Sequence, residues 1–212
     1  MGDISVEMDL KTMCKMPGYH LKCFIVDILQ RLMGSYFHQY GEEEEAKAAL
    51  YIKELLECMQ QYFPDKKDMV YAARMLNTVK EASEYLEEQK EERECFSDQA
   101  GNMIGKMYHS LHGESLTAIW SGWADYILRT YPGKMAALGK CVWNIEGDNK
   151  ETVCAFADFY KKMGMPVCLG QLVGRELLGE EINILTEQIS HACGKKEAER
   201  DIRSILTNSN DW

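Results

Sequence analysis

Asp98, His109 and His112 stand within one short run, DQAGNMIGKMYHSLHG (98–113), and of all the residues in this chain they have the clearest capacity for chemistry. Two imidazoles three positions apart share a face wherever the backbone between them is helical, and there they can chelate a divalent cation. A metal site needs three or four ligands, so the pair reads equally as capping or hydrogen-bonded histidines beside the turn that Gly113 marks. Earlier in the chain, Asp27 and Arg31 stand at i and i+4, the spacing of a helix-surface ion pair. The guanidinium has donors only and stays charged, so it cannot act as a ligand. Other catalytic patterns are missing. Gly164-Met165-Pro166 and the Gly170–Gly174 stretch lack the GxGxxG and GxxxxGK[ST] spacings that cradle phosphates, and no GxSxG elbow occurs.

The elements that must position these residues are helices. From Tyr19 to Phe37 the apolar residues Leu21, Phe24, Ile25, Ile28, Leu29, Leu32 and Met33 recur at three and four, which predicts one buried stripe. Glu42–Phe63 opens on four glutamates, favourable at a positive helix end, and carries Leu50, Ile52, Leu55, Leu56 and Met59 before Pro64 stops it. Lys66–Lys90 repeats the pattern with Met69, Val70, Ala73, Leu76 and Val79, then passes into the charge run EEQKEERE, which reads as solvated helix or as loop. Phe96–His109 is a helix rich in small residues, where Gly101 and Gly105 allow another backbone or a ligand to come close. Leu116, Ile119, Trp120, Trp123, Ile127 and Leu128 predict one helix up to Tyr131-Pro132. Met135–Val142, Lys150–Met163, Glu180–Cys193 and Lys195–Thr207 complete the set.

No segment alternates as a strand does, so the class is all-α: an irregular multi-helix domain without heptads, read as one domain over 1–212 with an entry segment 1–16 and a helical body 17–212. The excess of Asp and Glu (34) over Lys and Arg (24) gives a net charge of −10, which opposes binding to nucleic acid or anionic lipid. No window holds the ~20 apolar residues of a bilayer-spanning helix. Eight cysteines without a CxxC pair, and an N-terminus unlike a signal peptide, predict reduced, mostly buried thiols in a cytoplasmic protein.

The run 98–113, together with VWNIEGD (142–148) and FADFYKKMGMPVCLGQL (156–172), resembles the helical domain of iron-containing alcohol dehydrogenases, the butanol-dehydrogenase-like branch. In that family an Asp-x-x-x-His helix gives two metal ligands. A later His-x-x-x-His helix, followed by His-Gly, gives two more. The entry from Met16-Pro17 to Val26-Asp27-Ile28 places Asp27 on the Asp ligand and Arg31 where the His should be. Asp98 then falls on the first His of the second helix, Asn102 on its companion, and His112 on the His before Gly. Asp27 and His112 therefore keep ligand types, whereas Arg31 and Asp98 depart from the family.

The resemblance implies that any metal (iron, zinc or manganese) would use Asp27, His112, Asp98 and His109 as an altered or vestigial set. NAD(P) would be held only by a separate Rossmann chain, since the sequence starts roughly where that domain would end. Two readings follow. In the first, the chain is a truncated, divergent helical domain without dehydrogenase activity of its own, with an Asp27–Arg31–Asp98 charge network at the old metal position. In the second, it is the metal-binding half of a split NAD(P)-dependent alcohol dehydrogenase or aldehyde reductase. Either reading implies an apolar face left for a second copy or a partner, and an unrelated helical bundle is the third reading.

Overall fold

Short polar caps and prolines divide the chain into helices. A computed structural model describes residues 9–38, 41–64, 68–89, 96–194 and 198–211. Among them there are twelve α-helices and no strand, as the periodicity requires. The chain divides into two compact units, residues 1–93 and 94–212. The division falls at the charge run. Its first part continues a helix as far as Glu88, and Lys90 lies outside the described residues, as do Cys95, Lys66 and Lys195.

The first unit holds α1 (Leu10–Lys15), α2 (Gly18–His38), α3 (Glu42–Tyr62) and α4 (Met69–Glu88). α1 is too short for periodicity to reveal. It starts because Asp9 Oδ1 accepts from the backbone N–H of Thr12 at 2.7 Å. α4 starts in the same way on Asp68, whose Oδ1 takes the N–H of Val70 at 2.8 Å. α2 is the central helix and packs on both α3 and α4. Its stripe is buried as expected apart from Phe24, and Cys23, Val26, Gln30, Tyr36 and Phe37 are buried too, so the helix is covered on more sides than one stripe needs.

Three residues assigned to buried stripes are on the outside: Leu50 on α3 is 55% exposed, and Met69 and Val70 at the start of α4 are 54% and 74% exposed. The inward face of α4 is instead Ala72, Met75, Leu76, Val79, Ala82 and Leu86. The first turn lies upstream of that face, which explains the misassignment.

The second unit runs α5 (Phe96–Tyr108), α6 (His112–Ala118), α7 (Trp120–Thr130), α8 (Pro132–Trp143), α9 (Asn149–Lys162), α10 (Leu169–Val173), α11 (Gly179–Ala192) and α12 (Glu199–Asn208). The single helix expected from Leu116 to Tyr131 is two, because Ile119 (φ −96°, ψ 4°) leaves helical geometry between α6 and α7. Periodicity persists through such a break, since the apolar residues on both sides face the same core. The short α10 also escaped the sequence. Its first amides are held by the chain's end, Leu169 N–H donating to Ser209 O at 2.7 Å and Gly170 N–H to Asn210 O at 3.1 Å. The core is aromatic: Trp120, Trp123, Phe156, Phe159 and Tyr160 are all buried.

No described helix is long and apolar enough to cross a membrane. Among the described cysteines none forms a disulfide; Cys23, Cys58, Cys168 and Cys193 are buried, whereas Cys14 and Cys154 are exposed.

Candidate functional site

In the first unit Asp27 and Arg31 lie on a partly exposed edge of α2. Asp27 and Arg31 are 23% and 22% exposed, while Val26, Ile28, Leu29 and Leu32 beside them are buried. Arg31 Nε donates to Asp27 Oδ1 at 3.0 Å. One helical turn separates the two residues, the spacing at which side chains on a helix meet, and a part-buried, charge-assisted contact of this kind contributes about 1 kcal/mol.

In the second unit α5 and α6 bring Asp98 and His112 together. Asp98 sits in the first turn of α5, where a carboxylate is favoured, and Asn102 Nδ2 donates to its Oδ2 at 3.5 Å. His112 opens α6 and lies against α5 over Gly101, where a Cβ would come within 2.7 Å of the imidazole Nε2. That nitrogen is 3.3 Å from the Asp98 carbonyl oxygen and 3.9 Å from Asp98 Oδ1. A carbonyl only accepts, so this contact is a hydrogen bond in the forms of the imidazole that carry a proton on Nε2. The close approach expected at Gly101 is therefore made by His112. At Gly105 it is made by the Ser110 carbonyl oxygen, which would stand 3.2 Å from an added Cβ.

His109 does not share a helix face with His112. α5 ends at Tyr108, His109 adopts a left-handed conformation (φ 57°) and is exposed, and Leu111 is extended before α6 begins. The His-x-x-His spacing spans a chain reversal, so the pair cannot chelate as one helical motif. Among the described residues of each unit, no three His, Cys, Asp or Glu side chains converge as a metal-ligand group.

A polar constellation that sequence reading missed ties α5 to α11. Arg175 grips Glu181 with two bonds of 2.8 Å, the Leu178 N–H adds a third at 2.8 Å, and the Tyr108 hydroxyl donates to the same carboxylate at 3.1 Å. The Arg175 fork, then the Leu178 amide, hold the Glu181 carboxyl down at about 2. Burial, then the bond to Glu181, pushes the Tyr108 phenol up to about 12. The only sequence signal was Glu181 standing three residues after Leu178, the spacing of a helix-start glutamate.

A lowered carboxyl pKa stabilises the fold above the unfolded value near 4.5, and that contribution disappears as pH falls towards 2. Arg175 is half exposed, so Glu181→Gln is expected to cost only about 1 kcal/mol at neutral pH. The variant should also flatten the loss of stability between pH 4.5 and 2 in urea titrations.

This order of helices matches the helical domain of the iron-containing alcohol dehydrogenases. NADH-dependent butanol dehydrogenase A from Thermotoga maritima matches 96% of this chain and 55% of its own with a TM-score of 0.83 at 18% identity. The aldehyde reductase YqhD from E. coli matches 95% of this chain and 56% of its own with a TM-score of 0.80 at 16% identity. A 1,3-propanediol oxidoreductase matches at a TM-score of 0.77 and 14% identity, over 95% of this chain and 54% of its own. Identities this low establish the shared fold and nothing finer. The chain spans about 55% of the length of the dehydrogenases it resembles. No protein-family model matches the sequence, and comparison with curated proteins returns no match.

Proposed function

We propose that residues 1–212 act as a dehydrogenase-type helical module that carries no alcohol dehydrogenase activity by itself. The observation that carries this reading is the contact of Arg31 Nε with Asp27 Oδ1 at 3.0 Å. In the related dehydrogenases a metal accompanies the nicotinamide. The residues present on α2 do not fit that ion: position 31 offers no lone pair, and Asp27 is already engaged by a fixed positive charge. No step of hydride transfer is therefore assigned to this chain.

Incubation of the purified chain with primary alcohols and NAD or NADP, or with aldehydes and the reduced nicotinamides, in the presence of zinc, iron or manganese, should leave the nicotinamide absorbance at the blank rate. Metal-dependent turnover by the chain alone would refute the proposal.

The match to only 55% of the dehydrogenase length favours a second reading, in which a separate nucleotide-binding half completes a cleft. Co-expression with such a half, followed by the same assay, separates the two, because activity that appears only in the complex belongs to the split enzyme. In the module reading the role is association, through self-pairing or a partner. Light scattering across micromolar concentrations should then show a dimer, and a strict monomer would leave the partner as the only form of that role.

A further inference from the structure

We infer that Arg31 is a resident cation that opposes the binding of divalent metal at Asp27. The inference deepens the reading above and rests on its placement of Asp27 at the family's metal position. Its support is geometric. The guanidinium reaches the carboxylate within one helical turn, from a residue 22% exposed at the side chain, on a helix whose flanking residues are buried. Its charge is independent of pH in any folded protein.

A divalent ion brought to Asp27 would meet the positive charge of Arg31 on the carboxylate it has to bind. The repulsion between a unit charge and a double charge a few ångströms apart, at an effective dielectric of 20, is larger than the energy of a hundredfold change in affinity. The guanidinium avoids this only by swinging away, which breaks its bond to Asp27. What excludes the ion is therefore the charge and not the bulk of the side chain.

The test measures binding of zinc and cobalt(II) to the full chain by equilibrium dialysis, with the cobalt absorption spectrum as a second readout, on the wild type and on Arg31→Lys, Arg31→Met and Arg31→His. Circular dichroism confirms the helical content of each. The wild type and Arg31→Lys are expected to keep less than about a tenth of an equivalent at micromolar metal, whereas Arg31→His binds at least about a hundredfold tighter. Arg31→Met should fall between them, and adding Asp27→Asn to Arg31→His should cancel the gain.

Two results would overturn the inference. One is stoichiometric metal in the wild type that is lost on Asp27→Asn; the other is folded Arg31→His that binds no tighter than the wild type. Both are read from binding, so they are independent of the turnover assay. Metal held through Asp27 by an inactive chain sinks this inference, and turnover by the chain alone sinks the module reading.

Discussion

Trp120→Ala is expected to lower the stability of the second unit by about 4 kcal/mol, the usual range for truncating a fully buried aromatic side chain. Trp120 is 0% exposed. Its ring centroid lies 5.6 Å from Trp123, 5.3 Å from Phe156 and 5.5 Å from Tyr160, so the residue is the hub of the cluster that joins α7 to α9. Its indole N–H also donates to the Val153 carbonyl at 3.2 Å. Removing the ring leaves a cavity walled by large flat side chains that cannot collapse into it, and it deprives each neighbour of an edge or face contact. Burial pushes the pKa of the Tyr160 phenol further up, so this neighbour presents a neutral hydroxyl at ordinary pH.

Against a total of 5–15 kcal/mol for a typical domain, a loss of this size shifts the thermal midpoint by about 16 °C. Trp120→Phe keeps most of the ring volume and gives up the N–H bond, so it should cost about 1–2 kcal/mol. Urea unfolding followed by circular dichroism measures both. If the two variants proved equally stable, the hydrogen bond would outweigh the packing, and the aromatic cluster would not be what holds α7 to α9.

The helical class was legible because long apolar stripes leave few alternatives. α2, α3, α9 and α11 each fall within about two residues of the expectation, the ordinary uncertainty of a helix end. The Asp27–Arg31 pair was legible for the same reason, since its geometry is set inside one helix. What failed depended on tertiary position. Leu50 and Val70 have the right residue type and sit on helices of the right period, but the side of α3 or α4 that meets a neighbour is fixed only when the unit packs.

His109 and His112 failed through a break of a few residues, where a left-handed histidine replaces the helix the spacing assumed. The Tyr108–Arg175–Glu181 cluster joins residues more than sixty positions apart, beyond the reach of any local pattern. Asp98 and His112 lie between these cases. The family register put them at one site, and within their own unit they do meet, although through a backbone carbonyl as much as through the carboxylate.

Gly122→Ala shows how far one methyl group can act when two helices touch backbone to backbone. A Cβ at this position would stand 2.0 Å from the Ile205 carbonyl oxygen, 2.8 Å from its carbon and 2.5 Å from Ser209 Oγ. α7 and α12 are therefore packed at the limit that glycine permits. Ser209 fixes the contact: its Oγ accepts from the Gly122 N–H at 3.1 Å and lies 3.1 Å from the Ile119 carbonyl and 2.8 Å from that of Ile205. The methyl group cannot be accommodated by a rotamer change, because the obstructing atom is backbone, so α12 must move and the Ser209 bonds go with it.

Alanine is the better helix former by about 1 kcal/mol, but overpacking and the lost buried bonds exceed that gain, and the expected net loss is about 3 kcal/mol. Gly133→Ala provides the control. Gly133 lies in α8 with nothing within 4 Å of the added carbon, so the same substitution there should be neutral or stabilising by up to about 1 kcal/mol. Thermal unfolding of the two variants should give shifts of opposite sign. A Gly122→Ala protein as stable as the wild type would mean that α7 and α12 are not in backbone contact, and Ser209 would then not be what holds the chain's end against the second unit.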